Sequence, residues 1–158
     1  MTQIWPDDDG TGAALAALRA MVLIADSTVE RNTEQLTLTQ FRALRVVVDL
    51  TPVTMGRVAR ELALNPSSVT RACDRLVALK LLEKAPNPLN RRETLLAPAA
   101  AGRQLVDRVD HDRRQVLAGV LARLDPGTRQ AAIAAFARFA RVVEADESDS
   151  RSPLRRAN

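Results

Sequence analysis

Tyrosine is absent from the 158 residues, phenylalanine occurs three times, tryptophan once, and the aromatic share is only 3%. Large β-structures favour aromatic and β-branched residues, whereas Ala and Leu, abundant here, are strong helix formers. The composition therefore disfavours a β-rich body and favours a mainly helical one. Cysteine is equally scarce: Cys73 alone cannot close an intrachain disulfide, and a Cys-based metal site needs more ligands. His111, the single histidine, lies among Asp107, Asp110 and Asp112, and with no second His or Cys nearby it belongs to a charged stretch, not a metal site. No Gly-rich phosphate loop, nucleophile elbow or framed acid–base pair is present, so an enzyme is not expected, and no cofactor either. No uninterrupted apolar run approaches the ~20 residues of a bilayer span, and Asp7-Asp8-Asp9 stands where a signal peptide carries basic residues. The expectation is a cytoplasmic protein without a membrane partner.

What is present is enough apolar sequence, 46%, for one domain with a real core. The net charge of +4 is modest, but its placement is informative. Between Met55 and Glu93, Arg57, Arg60, Arg71, Arg75, Lys80, Lys84, Arg91 and Arg92 face only Glu61, Asp74, Glu83 and Glu93, a local excess equal to that of the whole chain. A basic centre between balanced flanks fits a nucleic-acid footprint, although a solvated basic face has the same count.

Residues 1–10, acidic and broken by Pro6 and Gly10, read as a disordered arm, and residues 147–158 as a disordered tail. From Thr11, the spacing of Leu15, Leu18, Val22, Ala25 and Val29 predicts a helix to about Asn32, with Met21 and Ile24 widening its apolar face. Thr39 is the expected N-cap of a second helix carrying Phe41, Leu44, Val47 and Val48, with a strand as the rival for the β-branched run Val46–Val48. Thr54 caps a short helix through Leu64, and Asn65-Pro66 opens the next, where the missing N–H of Pro costs nothing. That helix, Pro66 to Leu79, carries Val69, Cys73, Leu76 and Leu79 or Lys80 on one face with Ala72 beside them, and leaves Ser67, Ser68, Thr70, Arg71, Asp74 and Arg75 off that face.

A short helix, a brief turn and a second helix with a hydroxyl- and Arg-bearing front is the order of a helix-turn-helix, whose second helix enters the major groove. Leu81–Ala85 and Glu93–Ala97 are strand-length, and the turn-rich loop between them ends in Arg91-Arg92. Adjacent arginines on a hairpin beside a helix-turn-helix make a wing suited to the negative minor groove. A long helix is expected from Ala99 to Leu124 with a solvated charged middle, Asp107 to Arg114; Asp125-Pro126 then caps a last helix to about Ala145. That last helix is apolar almost all round, so it needs cover on more than one side, most simply from a second copy. Cys73, on the inner face, reads as a small core hydrophobe.

In these features the sequence resembles the MarR family of multiple-antibiotic-resistance-type regulators. The matching segments are Leu38-Thr39-Gln40-Phe41, Thr54 with Val58-Ala59, Val69 to Leu76, Leu81 to Lys84, the wing Asn87 to Arg92, and Ala101-Gly102-Arg103. The resemblance implies a mainly α (α+β) fold: a winged helix-turn-helix over residues 37–97 with a small β-hairpin wing. N- and C-terminal dimerisation helices over 11–32 and 99–146 complete one domain spanning 11–146. It implies a homodimeric repressor of a pseudo-palindromic duplex-DNA operator, with Ser67, Ser68, Thr70 and Arg71 facing bases or phosphates and Arg92 as the wing arginine; the basic helix front and the wing pair add Arg75 and Arg91 as DNA-binding candidates. Many members are released by small aromatic ligands; Met21, Val22, Phe41, Leu44 and Leu105 are candidates to line such a pocket, or equally to be plain core. Three positions depart from the family pattern: Asn90 replaces the usual wing Asp, Lys80 the Gly that ends the recognition helix, and Ala99 a Thr cap. A winged-helix protein-interaction module and a ligand-binding protein without DNA binding remain the alternatives at this point.

Overall fold

The computed structural model describes residues 10–151, with side chains to Asp146; the expected arm over 1–9 and the end of the expected tail, 152–158, lie outside the described residues. The elements are α1 (Thr11–Asn32), α2 (Leu38–Leu50), β1 (Val53–Thr54), α3 (Met55–Leu62), α4 (Pro66–Ala78), β2 (Leu82–Pro86), β3 (Thr94–Pro98), α5 (Ala100–Ala122) and α6 (Pro126–Arg151). They form two compact units, dividing inside α5 between Arg114 and Gln115.

Local chemistry explains most boundaries of the first unit. The helix α2 is capped by Thr37 and not by Thr39: Thr37 Oγ1 accepts from the Gln40 N–H at 3.3 Å, and Gln40 Oε1 accepts from the Thr37 N–H at 2.9 Å. This reciprocal capping box needs Glu or Gln three residues on, which Thr37 has and Thr39 lacks. The run Val46–Val48 is helical. Ala63 adopts a left-handed conformation (φ 50°) and closes α3 two residues before the expected Leu64. Lys80 does the same after α4 (φ 58°), and the Leu81 N–H reaches back to the Leu76 carbonyl at 2.9 Å. The turn that Gly commonly makes is thus kept with Lys in it, at about 1–2 kcal/mol of Cβ strain.

The sheet is antiparallel in the order β1-β3-β2, with Lys84 opposite Leu96 and Val53 opposite Leu96 on its other side. The hairpin strands lie one residue later than the sequence suggests, and the two-residue β1 is additional. Val29, Phe41, Leu44, Val47, Val58, Val69, Cys73, Leu76, Leu82, Leu96, Leu105, Val106 and Val109 form one core cluster. Into that core α5 enters through Gly102: a Cβ there would lie 2.1 Å from the Leu81 carbonyl oxygen, which also accepts the Ala99 N–H at 3.0 Å.

The charged middle of α5 is solvated only in part: Asp107, Arg108, His111 and Arg114 are exposed, whereas Asp110, Asp112 and Arg113 are half-buried. Arg113 donates Nε to Thr28 Oγ1 at 3.1 Å and a terminal N–H to the Ala25 carbonyl at 3.2 Å, with its guanidinium 5.4 Å from the Phe41 ring centroid. Asp112 pairs with Arg31 at 3.1 Å and accepts from Asn32 at 3.0 Å, and Asp110 pairs with Arg45 of α2. Asp110, Asp112 and Arg113 therefore fasten α5 to α1 and α2, because each of the three meets an opposite charge or an open carbonyl, so hydration is not its only source of stabilisation. By length and composition α1 also passes for a membrane span, with Arg19 and Asp26 within it, but its last turns bury Thr28 and Val29 in the core.

In the second unit Asp125 Oδ1 accepts the Thr128 N–H at 3.0 Å, and hydrogen bonds from Thr128, side chain first, hold this carboxylate below its usual range. Arg129 closes the preceding helix end, donating to the carbonyls of Leu121, Ala122 and Leu124 at 2.9–3.1 Å. The helix α6 then runs to Arg151, past the expected end near Ala145, and the expected tail residues 147–151 belong to it.

Candidate nucleic-acid interface

The helix-turn-helix is α3, a three-residue turn and α4. Asn65 caps α4, its Oδ1 accepting from both the N–H and the hydroxyl of Ser67 at 2.9 Å, and Pro66 occupies the first helical position. Val69, Ala72, Cys73 and Leu76 lock one face into the core at 5% exposure or less. Ser67, Thr70, Arg71, Asp74 and Arg75 are exposed on the other side, and Ser68 is half-buried at its edge. Among the described residues no hydrogen bond or ion pair engages the guanidinium groups of Arg71, Arg75, Arg91 or Arg92.

The wing is held by its asparagines. The Asn87 N–H donates to the Glu93 carbonyl at 3.0 Å, its side-chain amide to the Glu93 carboxylate at 2.9 Å, and its Oδ1 accepts the Leu89 N–H at 3.0 Å. Asn90 Oδ1 accepts the Arg92 N–H at 3.2 Å, so the departure from Asp still fixes the backbone that carries Arg92, without the charge-assisted part. Arg91 and Arg92 stand exposed.

A cleft of about 450 Å³ separates α4 from the wing and the start of α3, lined by Thr54, Gly56, Thr70, Asp74, Lys84, Arg92 and Thr94 among others. It brings Thr70 and Arg92 to one place; Ser67, Ser68, Arg71, Arg75 and Arg91 do not line it. Lys84 of β2 pairs with Asp74 of α4, tying the wing to the second helix of the helix-turn-helix. The sequence pattern marks neither as a site residue, because ten positions separate them and no local periodicity signals that they meet.

The five candidate pocket residues divide. Phe41, Leu44 and Leu105 are core at 4% exposure or less, whereas Met21 and Val22 are exposed on α1. Cys73 is fully buried, and desolvation pushes its thiol up to about 11, which fits a core side chain. Among the described residues no group of three His, Cys, Asp or Glu could hold a metal ion.

A core-anchored helix-turn-helix followed by a two-stranded hairpin defines a winged-helix module. A family model described as the MarR family matches residues 34–93. An uncharacterised HTH-type transcriptional regulator of Mycobacterium bovis, Mb0904, is 27% identical over 123 residues, covering 78% of this chain and 86% of that protein. The crystal structure of RV1404 from Mycobacterium tuberculosis superposes with a TM-score of 0.78 at 31% identity, covering 89% of this chain and 97% of that one. FabT of Streptococcus pneumoniae, solved in complex with DNA, shares the fold with a TM-score of 0.69 at 15% identity, over 87% of this chain and 98% of that one. The chain belongs to the MarR family of winged-helix transcriptional regulators.

Proposed function

We propose that the protein binds duplex DNA sequence-specifically as a homodimer and represses transcription from a pseudo-palindromic operator. The observation that carries this reading is the front of α4. Its hydroxyls and its unengaged Arg71 and Arg75 face solvent from a helix whose back is locked in the core, and Arg92 stands across an open cleft. A protein-interaction module would present apolar side chains there. The DNA in the FabT complex supports the same use of the fold.

Two further observations favour a dimer. Leu15, Leu18, Val22 and Leu23 of α1 are 47–69% exposed, and Ile133, Phe136, Phe139, Val142 and Val143 of α6 are 41–70% exposed. Apolar surface of that extent calls for cover, and a second copy would set two reading helices about 34 Å apart, one turn of duplex. Release by a small aromatic ligand belongs to the same reading, with Met21 and Val22 the members of the candidate set open to solvent. A regulator of transcription works beside the chromosome, so we place it in the cytoplasm.

The test is fluorescence anisotropy with the DNA upstream of the protein's own gene, across ~50–200 mM salt, where phosphate-driven affinity falls steeply. Binding to that DNA well above binding to random duplex is the expected result. Equal binding to both at every salt concentration would remove the reading.

A further inference from the structure

The front of α4 consists of two chemically different stripes. Ser67, Thr70 and Asp74 follow at i, i+3 and i+7 and share one line along the helix, while Arg71 and Arg75, at i and i+4, share the neighbouring one. A hydroxyl carries a single hydrogen, and on the first line both are already committed. Ser67 Oγ donates to Asn65 Oδ1 at 2.9 Å, and Thr70 Oγ1 donates to the Pro66 carbonyl at 2.9 Å. Outward, both hydroxyls present lone pairs. Asp74, paired with Lys84, presents carboxylate oxygens. The first stripe is therefore made of acceptors, and the second, being guanidinium, of donors only.

We infer that α4 sorts bases by hydrogen-bond polarity. Ser67, Thr70 and Asp74 take the exocyclic amino groups of adenine (N6) or cytosine (N4), and Arg71 and Arg75 take guanine O6 and N7. This rests on the proposed DNA-binding function and specifies its chemistry. Along the major-groove floor those amino groups are the only donors; guanine offers N7 and O6, thymine O4 and a methyl. Phosphate oxygens are acceptors too, so the first stripe has nothing to give the backbone, and Asp74 is repelled by it. Arg92, in the same cleft as Thr70 and the Asp74–Lys84 pair, supplies a cation where the strands pass. The acceptor stripe is thereby directed to base edges.

The experiment begins with duplexes enriched from a random pool by the full-length protein, followed by single-base replacement in the enriched duplex. Purine replaces each adenine and 2-pyrimidinone each cytosine, removing only the amino group. At one or more of these positions the wild type is expected to lose about fivefold in affinity, the effect of one hydrogen bond. In Thr70→Val or Asp74→Ala the same replacement is expected to cost nothing further at the position that residue reads, whereas Thr70→Ser keeps the wild-type loss. Circular dichroism of these exposed-site variants separates reading from folding. Amino-free bases that bind as well as natural ones at every position overturn the inference, as does a Thr70→Val protein that relaxes a guanine position. A wild type that enriches no sequence instead overturns the DNA-binding function itself.

Discussion

Gly102 and the Leu81 carbonyl are in backbone contact. A side chain at Gly102 would place its Cβ 2.1 Å from that oxygen and 3.1 Å from Leu44 Cδ1. This is where α5 seats against the turn between α4 and the wing, so a glycine is required by space alone, without a left-handed backbone. Gly102→Ala is expected to destabilise the protein by about 2–3 kcal/mol, because one of two packed backbones must move. Urea unfolding checks it; an unchanged midpoint contradicts the close approach.

The bolt of α5 onto α1 and α2 separates strong from weak electrostatics. Arg113 meets a fully buried Thr28, a carbonyl and the Phe41 ring, with its side chain 27% exposed. The Arg31–Asp112 pair is half-exposed on its Arg side. Arg113→Ala is expected to cost about 2 kcal/mol through unmet polar groups and the missing cation–π attraction, and Arg31→Ala less than about 0.5 kcal/mol. Thermal melts of the two variants at low salt check the order, and equal losses would show that burial does not decide it.

Cys73 sits at 0% exposure with its thiol raised to about 11, against an ordinary value of 9.0. A raised acid binds its proton more tightly in the folded state, so between those two values the unfolded chain holds fewer protons and stability falls as pH rises. Below pH 9 this group contributes no slope. The protein is expected to resist a thiol reagent at pH 8 until unfolded, and Cys73→Ala to flatten the decline in stability from pH 9 to 11. Rapid labelling of the native protein at pH 8 would contradict the burial.

Much of this architecture is legible from local chemistry. The span of α1, the Asn65-Pro66 start of α4, and the caps at Thr54 and Asp125 each rest on a few adjacent residues, and the structure has them there. What escapes is non-local or too short to have a period. The two residues of β1 carry no alternation, and Asp110, Asp112 and Arg113 look like solvated charge until Arg31, Arg45 and Thr28 are brought to them. Thr37 and Thr39 compete for one cap, and Gln40, three residues after Thr37, decides it. At the candidate site the α4 front and the wing arginines could be read from spacing. The Asp74–Lys84 tie and the direction of the Thr70 hydroxyl could not, because both arise only once the hairpin folds back and the helix winds.

The α4 front and the wing are expected to fail differently when their cations are removed. On the proposed function Arg71 reads from α4 by pairing its planar fork bidentately with guanine, so Arg71→Ala is expected to relax sequence preference by about 1–3 kcal/mol at one base pair. Arg91 and Arg92 stand on a hairpin tip whose Asn90 holds the Arg92 backbone but gives the guanidinium no partner. On the same proposal their contribution is mostly charge against the negative groove and backbone. Replacing both by Ala is expected to weaken binding to specific and random duplex alike, and to lower the slope of log affinity against log salt by up to about 0.9 for each phosphate no longer neutralised. Anisotropy titrations at several salt concentrations, run on both variants with both duplexes, distinguish the two roles. If Arg71→Ala lowers the salt slope while keeping the preference, or the wing variant loses preference while keeping the slope, reading and anchoring are assigned to the wrong elements.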